Sequence, residues 1–124
     1  MSHAVNALLL DDDNDLLEVI ADLLAARDCR SLLAKSVAEL KALGSRALEA
    51  DVAVLDINLG PLQPSGLDAY DWLVSEKFKG RILFLTGHAH THPLVARAQT
   101  LRRATVLDKP MGAKPLLDAI LGAE

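Results

Sequence analysis

Short apolar runs in this chain keep stopping at residues that can do chemistry. Ala4–Leu10 stops at Asp11-Asp12-Asp13, Val52–Leu55 at Asp56, Arg81–Leu85 at Thr86, and Thr105–Leu107 at Asp108-Lys109. Gathered in one place, three or more carboxylates, a hydroxyl and an ammonium would suit phosphoryl transfer. Crowded carboxylates repel one another, so one pKa is expected to rise unless a cation is present. Mg²⁺ relieves that crowding, because it takes oxygen ligands in an octahedron, usually one or two carboxylates with phosphate oxygens and water. A backbone carbonyl after Asp56 would complete such a site. Lys109 would meet a phosphate oxygen as a point charge, and Thr86 would donate a hydrogen bond to another. One carboxylate would then accept the phosphoryl group as an aspartyl phosphate. Catalysis of this kind is mostly positioning and charge neutralisation.

Any one of these acids has a plainer explanation. Asp and Asn cap helices, and Asp13, Asn14 or Asp15 is placed to cap the helix that follows. What argues for chemistry is the conjunction at four strand ends.

The elements that must position these residues follow from periodicity. The apolar runs read as buried strands, and Cys29–Ala34 as a further short one. Asn14–Ala26 carries Leu16, Ile20, Leu23 and Leu24 on one helical stripe. Ser36-Val-Ala-Glu39 is a capping-box signature that opens a helix to about Leu48. Ile57–Ser65 holds two prolines and a glycine and reads as loop, and Leu67–Ser75 reads as helix. Thr91–Thr100 is a short helix with Pro93 in its first turn, and Pro115–Leu121 closes the chain as a helix. Five strands alternating with five helices imply an α/β fold, a parallel sheet covered on both faces. Right-handed crossovers make it a doubly wound three-layer sandwich. Ligands of such folds sit beyond the carboxyl ends of the strands, where the acids are.

Composition narrows the class. A chain of 124 residues, 51% apolar and 24% charged, suits one domain spanning residues 1–124 with its own core. Only two Phe, one Tyr and one Trp are present, so that core is aliphatic. The apolar content is too high for disorder, no apolar run spans a bilayer, and no secretory signal is visible. One cysteine, Cys29, fits a reducing cytoplasm. A net charge of −4 argues against direct nucleic-acid binding.

The motifs Leu8-Leu9-Leu10-Asp11-Asp12-Asp13, Val54-Leu55-Asp56-Ile57-Asn58-Leu59, Phe84-Leu85-Thr86-Gly87 and Leu107-Asp108-Lys109-Pro110 together resemble the receiver domain of two-component response regulators. The intervals agree as well: 44 residues from Asp12 to Asp56, 30 to Thr86 and 23 to Lys109. The resemblance covers the whole chain. It implies a flavodoxin-like sandwich with strand order 2-1-3-4-5, for which a member of that family is a standard example. It implies Asp56 as phosphoacceptor and Mg²⁺ as cofactor. Asp12 would be a direct ligand, Asp11 would act largely through water, and Asn58 would lend its backbone carbonyl. Thr86 and Lys109 would hold the phosphoryl group. The Lys109–Pro110 bond would be cis, and Asn58 and His88 would tune access of water.

The resemblance also implies partners. A sensor histidine kinase or histidine phosphotransfer protein would donate the phosphoryl group, and a downstream protein would read it. No membrane is involved, and the chain would be a monomer or weak dimer. Because it ends right after its last helix, a stand-alone receiver is expected, though a receiver cut from a hybrid kinase has the same appearance. Two departures stand out. Val106 occupies the position where the family usually carries an aromatic that moves with the threonine. The segment from Asp56 to Gly66 is about two residues longer than usual, either a partner-specific surface or, more simply, a harmless loop insertion.

Other signals have plainer readings. His88, His90 and His92 alternate as metal ligands can, but no nearby Cys or acid completes a set. Arg97, Arg102 and Arg103 form a solvated basic face or part of a docking surface. Met111, Leu116, Leu117, Ile120 and Leu121 suit core packing, or a partner surface. Two alternative functions remain at this stage. One is a receiver-like binding module without a phospho-switch, motivated by Val106. The other is a small phosphohydrolase of the haloacid dehalogenase type, for which Asp11 and Asp13 fit but Asp15 does not.

Overall fold

The computed structural model describes residues 5–57, 59, 63–87, 93–101, 104–109 and 112–122. Five strands, β1 (Asn6–Leu10), β2 (Arg30–Ala34), β3 (Val52–Asp56), β4 (Arg81–Thr86) and β5 (Ala104–Asp108), form one parallel sheet. Their order is β2-β1-β3-β4-β5, as the resemblance implies. Between and after them run α1 (Asn14–Ala25), α2 (Val37–Ala42), α3 (Ser45–Leu48), α4 (Gly66–Ser75), α5 (Pro93–Gln99) and α6 (Ala113–Leu121).

Strand residues alternate between two aliphatic cores because successive side chains point to opposite faces. Leu8, Leu10, Ala53, Leu55, Ile82 and Phe84 face one core, closed by Leu40, Ala47, Leu67, Leu73 and Val95 from α2 to α5. Ala7, Leu9, Val52, Val54, Leu83 and Leu85 face the other, closed by Leu17, Ile20 and Leu24 of α1 and Leu116, Leu117 and Ile120 of α6. Each fully buried Leu or Ile contributes about 1.5–3 kcal/mol. On α1 the buried stripe runs through Leu17, Ile20 and Leu24, with Leu16 and Leu23 half-buried at its margins. The stripe is thus rotated slightly from the one expected.

The helix expected from Ser36 to Leu48 is two helices. Ser36 Oγ caps α2 by accepting from the Glu39 N–H, and the Glu39 carboxylate accepts from the Lys35 N–H. The break comes at Gly44, whose φ of 58° and ψ of −133° only glycine adopts readily. The last helix begins at Ala113, two residues before the expected Pro115, and α4 begins at Gly66 rather than Leu67. Ser65 caps α4: its Oγ accepts from the Leu67 N–H, and the Asp68 carboxylate accepts from the Ser65 N–H. Three strands run one residue further than expected, so Asp56, Thr86 and Asp108 are last strand residues rather than first loop residues. That difference matters, because a side chain on a hydrogen-bonded strand end is held by the sheet.

Candidate phosphoryl-acceptor site

Parallel strands align their carboxyl ends, and backbone hydrogen bonds extend the alignment by one residue. Asp11 N–H donates to the Ala34 carbonyl at 3.1 Å, Ile57 N–H to Leu85 at 2.9 Å, and Lys109 N–H to Thr86 at 2.7 Å. Asp11, Asp56, Thr86 and Lys109 are thereby brought to one edge. Among the described residues the buried polar or charged ones are Asp11, Asp56 and Thr86. Burial of carboxylates without compensation is costly, so their placement here needs a cause.

Part of that cause is Lys109. Its ammonium stands 3.1 Å from Asp11 Oδ2 and donates a hydrogen bond to Asp56 Oδ2 at 3.2 Å. Burial is the largest single influence on Lys109 and pulls its pKa down. The charges of Asp56 and then Asp11, with the hydrogen bonding, outweigh it and leave the ammonium above its ordinary value.

Asp11 shows what the lysine leaves undone. Its Oδ1 accepts from the Asp13 N–H at 2.9 Å. Its Oδ2 is buried and, despite the nearby ammonium, has no hydrogen bond of acceptable geometry among the described residues. A buried carboxylate oxygen in that state suits a hard cation. Asp12 supplies the third acid and is exposed, so it opens the cluster to water. Oxygens of Asp11, Asp12 and Asp56 lie within 4.8 Å of one another, slightly wider than the roughly 4 Å that opposite ligands of Mg²⁺ span. Three carboxylates against one ammonium leave an excess of negative charge that a divalent cation neutralises. The residues fit the metal.

Asp13 is the N-cap of α1, its Oδ1 accepting from the Leu16 N–H at 3.1 Å, and so takes the structural role that the sequence left open among three residues. Val106 is half-buried opposite Phe84 in the β4–β5 register. Asn58, Pro110 with its peptide bond, the three loop histidines His88, His90 and His92, Arg102, Arg103 and Met111 lie outside the described residues. Arg97 donates to the Asp71 carboxylate at 2.7 Å, joining α5 to α4 on the surface. The hydrogen bond to Asp71 is the main cause of its raised pKa. No helix among the described residues is long and apolar enough to cross a membrane.

A doubly wound parallel sheet with an acidic cluster and a lysine at its carboxyl edge is the class of α/β fold found here. The profile of the response regulator receiver domain matches residues 7–121, and the chain belongs to that family. No curated protein sequence matches it. Among solved structures, a response regulator receiver domain protein from Clostridium thermocellum is similar at 26% identity and a TM-score of 0.75, covering 95% of this chain and 92% of its own. A CheY-like receiver domain protein from Methanospirillum hungatei, at 20% identity and a TM-score of 0.76, covers 95% and 91% and supports the fold. A response regulator protein from Burkholderia pseudomallei, solved with a phosphorylated aspartic acid, a calcium ion and citrate, is 27% identical with a TM-score of 0.76, covering 94% of this chain and 66% of its own. Membership in this family replaces the haloacid dehalogenase alternative.

Proposed function

We propose that this chain accepts a phosphoryl group on Asp56 from a phosphohistidine, with Mg²⁺ required, and passes the signal on by protein contact. The observation that carries this reading is the co-burial of Asp11 and Asp56 around the Lys109 ammonium. The phosphorylated aspartic acid of the Burkholderia pseudomallei relative supports it.

Asp11, Asp12, Asp56 and the Asn58 backbone carbonyl would hold Mg²⁺, Asp11 largely through water. The metal, when bound, draws charge from the phosphoryl oxygens and cancels the repulsion of the acids. A carboxylate oxygen of Asp56 attacks phosphorus, the P–N bond to the donor imidazole breaks, and the electron pair leaves with the imidazole. Lys109 stays protonated and moves from neutralising Asp56 to neutralising a phosphoryl oxygen, while Thr86 donates to another. Water later attacks the acyl phosphate and returns Asp56 as carboxylate with inorganic phosphate. Beyond that self-catalysed cycle no substrate is turned over, so we do not class the chain as an enzyme.

The donor class is a sensor histidine kinase or a histidine phosphotransfer protein, and the reader a downstream protein. Dependence on such donors favours the cytoplasm. We take residues 1–124 as one receiver domain, a monomer or weak dimer. Val106 is too small to act as an inward-swinging aromatic, so the output movement takes another form.

Intact mass tests the reading. Wild type with acetyl phosphate and Mg²⁺ is expected to gain one labile phosphoryl group, absent without Mg²⁺ and absent in Asp56→Asn. A gain that persists in the variant moves the nucleophile elsewhere and overturns the assignment.

A further inference from the structure

The acids of the site are held at their carboxylate ends by Lys109. Something must also fix the backbone from which Asp56 projects, beyond its pairing with β4. That neighbour is the first residue of α4. A Cβ built on Gly66 would lie 2.4 Å from the Asp56 carbonyl oxygen, 2.9 Å from its carbonyl carbon and 3.3 Å from the Ile57 Cα. The Gly66 N–H in turn donates to the Ile57 carbonyl at 3.3 Å. Helix and strand end therefore touch backbone to backbone, with no room for a side chain.

We propose that Gly66 is a positioning residue for the phosphoacceptor: its missing side chain lets the start of α4 buttress the Asp56–Ile57 backbone and so sets where the Asp56 carboxylate stands. This deepens the phosphoryl-acceptor reading and rests on it.

Neither side can yield at small cost. Asp56 pairs with Leu85 in the β3–β4 register, and the Ile57 N–H donates to the Leu85 carbonyl at 2.9 Å. The helix is fixed by its Ser65–Asp68 capping box and by buried Leu67, Ala69 and Leu73. The atoms a new Cβ would meet are all backbone, so no rotamer change relieves the overlap. A shift of more than half an ångström must fall on the junction itself. It would be passed to the Asp56 carboxylate.

Gly80 provides a matched control at the opposite edge of the sheet. A Cβ there would lie 2.6 Å from the Asp51 carbonyl oxygen, 2.8 Å from that of Ala50 and 2.6 Å from the Phe78 ring, so its overlap is with backbone and with one side chain. Gly66→Ala and Gly80→Ala thus both introduce backbone overlap, one beside Asp56 and one far from it. If Gly66 matters only for packing, the two variants behave alike.

The test measures three quantities for wild type and both variants: backbone amide shifts of Asp56 and Ile57 in the metal-free protein, the Mg²⁺ dissociation constant by NMR titration, and the rate of phosphorylation by acetyl phosphate. Misplacement of a reacting group by about an ångström costs up to roughly 10²-fold. Gly66→Ala is expected to move the Asp56 and Ile57 amide shifts, weaken Mg²⁺ binding and slow phosphorylation at saturating Mg²⁺ by about tenfold or more. Gly80→Ala is expected to lower the melting temperature and leave all three near wild type. A folded Gly66→Ala that matches wild type in all three overturns the proposal, as does an equal loss in Gly80→Ala. If Gly66→Ala does not fold, Ser65→Ala loosens the start of α4 without adding a Cβ beside Asp56. It must then shift the Asp56 and Ile57 amides and slow phosphorylation, and an unchanged site overturns the proposal. Absence of phosphorylation in wild type counts against the acceptor reading alone, because the metal-free amide shifts still report on Gly66.

Discussion

The Lys109 N–H donates to the Thr86 carbonyl at 2.7 Å. One backbone hydrogen bond therefore sets the spacing of the two residues assigned to the phosphoryl oxygens. Because both sit at strand ends, their side chains can be changed without disturbing the backbone that carries them.

Lys109→Met is expected to slow phosphorylation of Asp56 by about 10²–10³, the usual scale for removing one preorganised charge-stabilising group. It also leaves the buried Asp11 and Asp56 without their partly exposed ammonium, and a buried acceptor left unsatisfied destabilises the metal-free protein by about 1–3 kcal/mol. Excess Mg²⁺ should recover part of that loss. Mass spectrometry gives the rate, and calorimetric melting with and without Mg²⁺ gives the stability. Equal melting temperatures for the metal-free variant and wild type would show that the ammonium is not what compensates the two acids.

The pH dependence of stability has a definite sign. Lys109 is raised above its ordinary value of 10.5 because its two carboxylate neighbours outweigh burial. Its contribution is therefore complete below the unfolded pKa and is lost as pH rises through the higher folded one. Denaturant unfolding from neutral pH to strongly alkaline pH should show a fall in that window that Lys109→Met lacks. Asp56→Asn removes the leading charge that raises Lys109 and should lower its pKa, as read by NMR of the lysine side chain. An unmoved titration would sink the assigned coupling.

Magnesium should stabilise the folded chain by mass action, by about 2.7 kcal/mol at a hundred times its dissociation constant. Asp12 is exposed, whereas Asp11 and Asp56 are buried. Asp12→Ala is thus expected to leave metal-free stability near wild type while removing most of the Mg²⁺-induced rise. Melting curves across a Mg²⁺ series check this. A full rise in the variant would take Asp12 out of the metal site.

Arg81 offers a change that should affect stability alone. Its guanidinium, at the start of β4, donates to the carbonyls of Ala119 and Ile120 at the end of α6. These are among the orphan acceptors that every helix end presents. Arg81→Ala is expected to cost about 1–2 kcal/mol in denaturant unfolding with phosphorylation of Asp56 unchanged. A slower phosphorylation would mean that the far edge of β4 communicates with the site.

Much of this was legible in the chain because buried parallel strands announce themselves. Leu8–Leu10 and Val52–Leu55 are unbroken aliphatic runs, and the residue that ends each one marks the edge where the buried acids meet. Asp11, Asp56, Thr86 and Lys109 do converge there. Three things were not legible. The break at Gly44 lies inside an otherwise helical pattern, and a glycine in such a pattern is compatible with continuation. The N-cap of α1 fell to Asp13 by geometry, since Asp13, Asn14 and Asp15 carry equally suitable side chains. The role argued for Gly66 depends on contact between residues ten positions apart, and no periodicity records a side chain that must be missing.

The chain contains one tryptophan and one tyrosine, and α4 carries both. Trp72 packs half-buried against the core, and the ring of Tyr70 lies 5.8 Å from that of Phe84, two residues before Thr86. The molecule's intrinsic fluorescence therefore originates in the helix that abuts Asp56. Light emitted by the unlabelled protein reports on that helix, so a change in colour or intensity on adding acetyl phosphate and Mg²⁺ would be a built-in optical readout of the proposed phosphorylation.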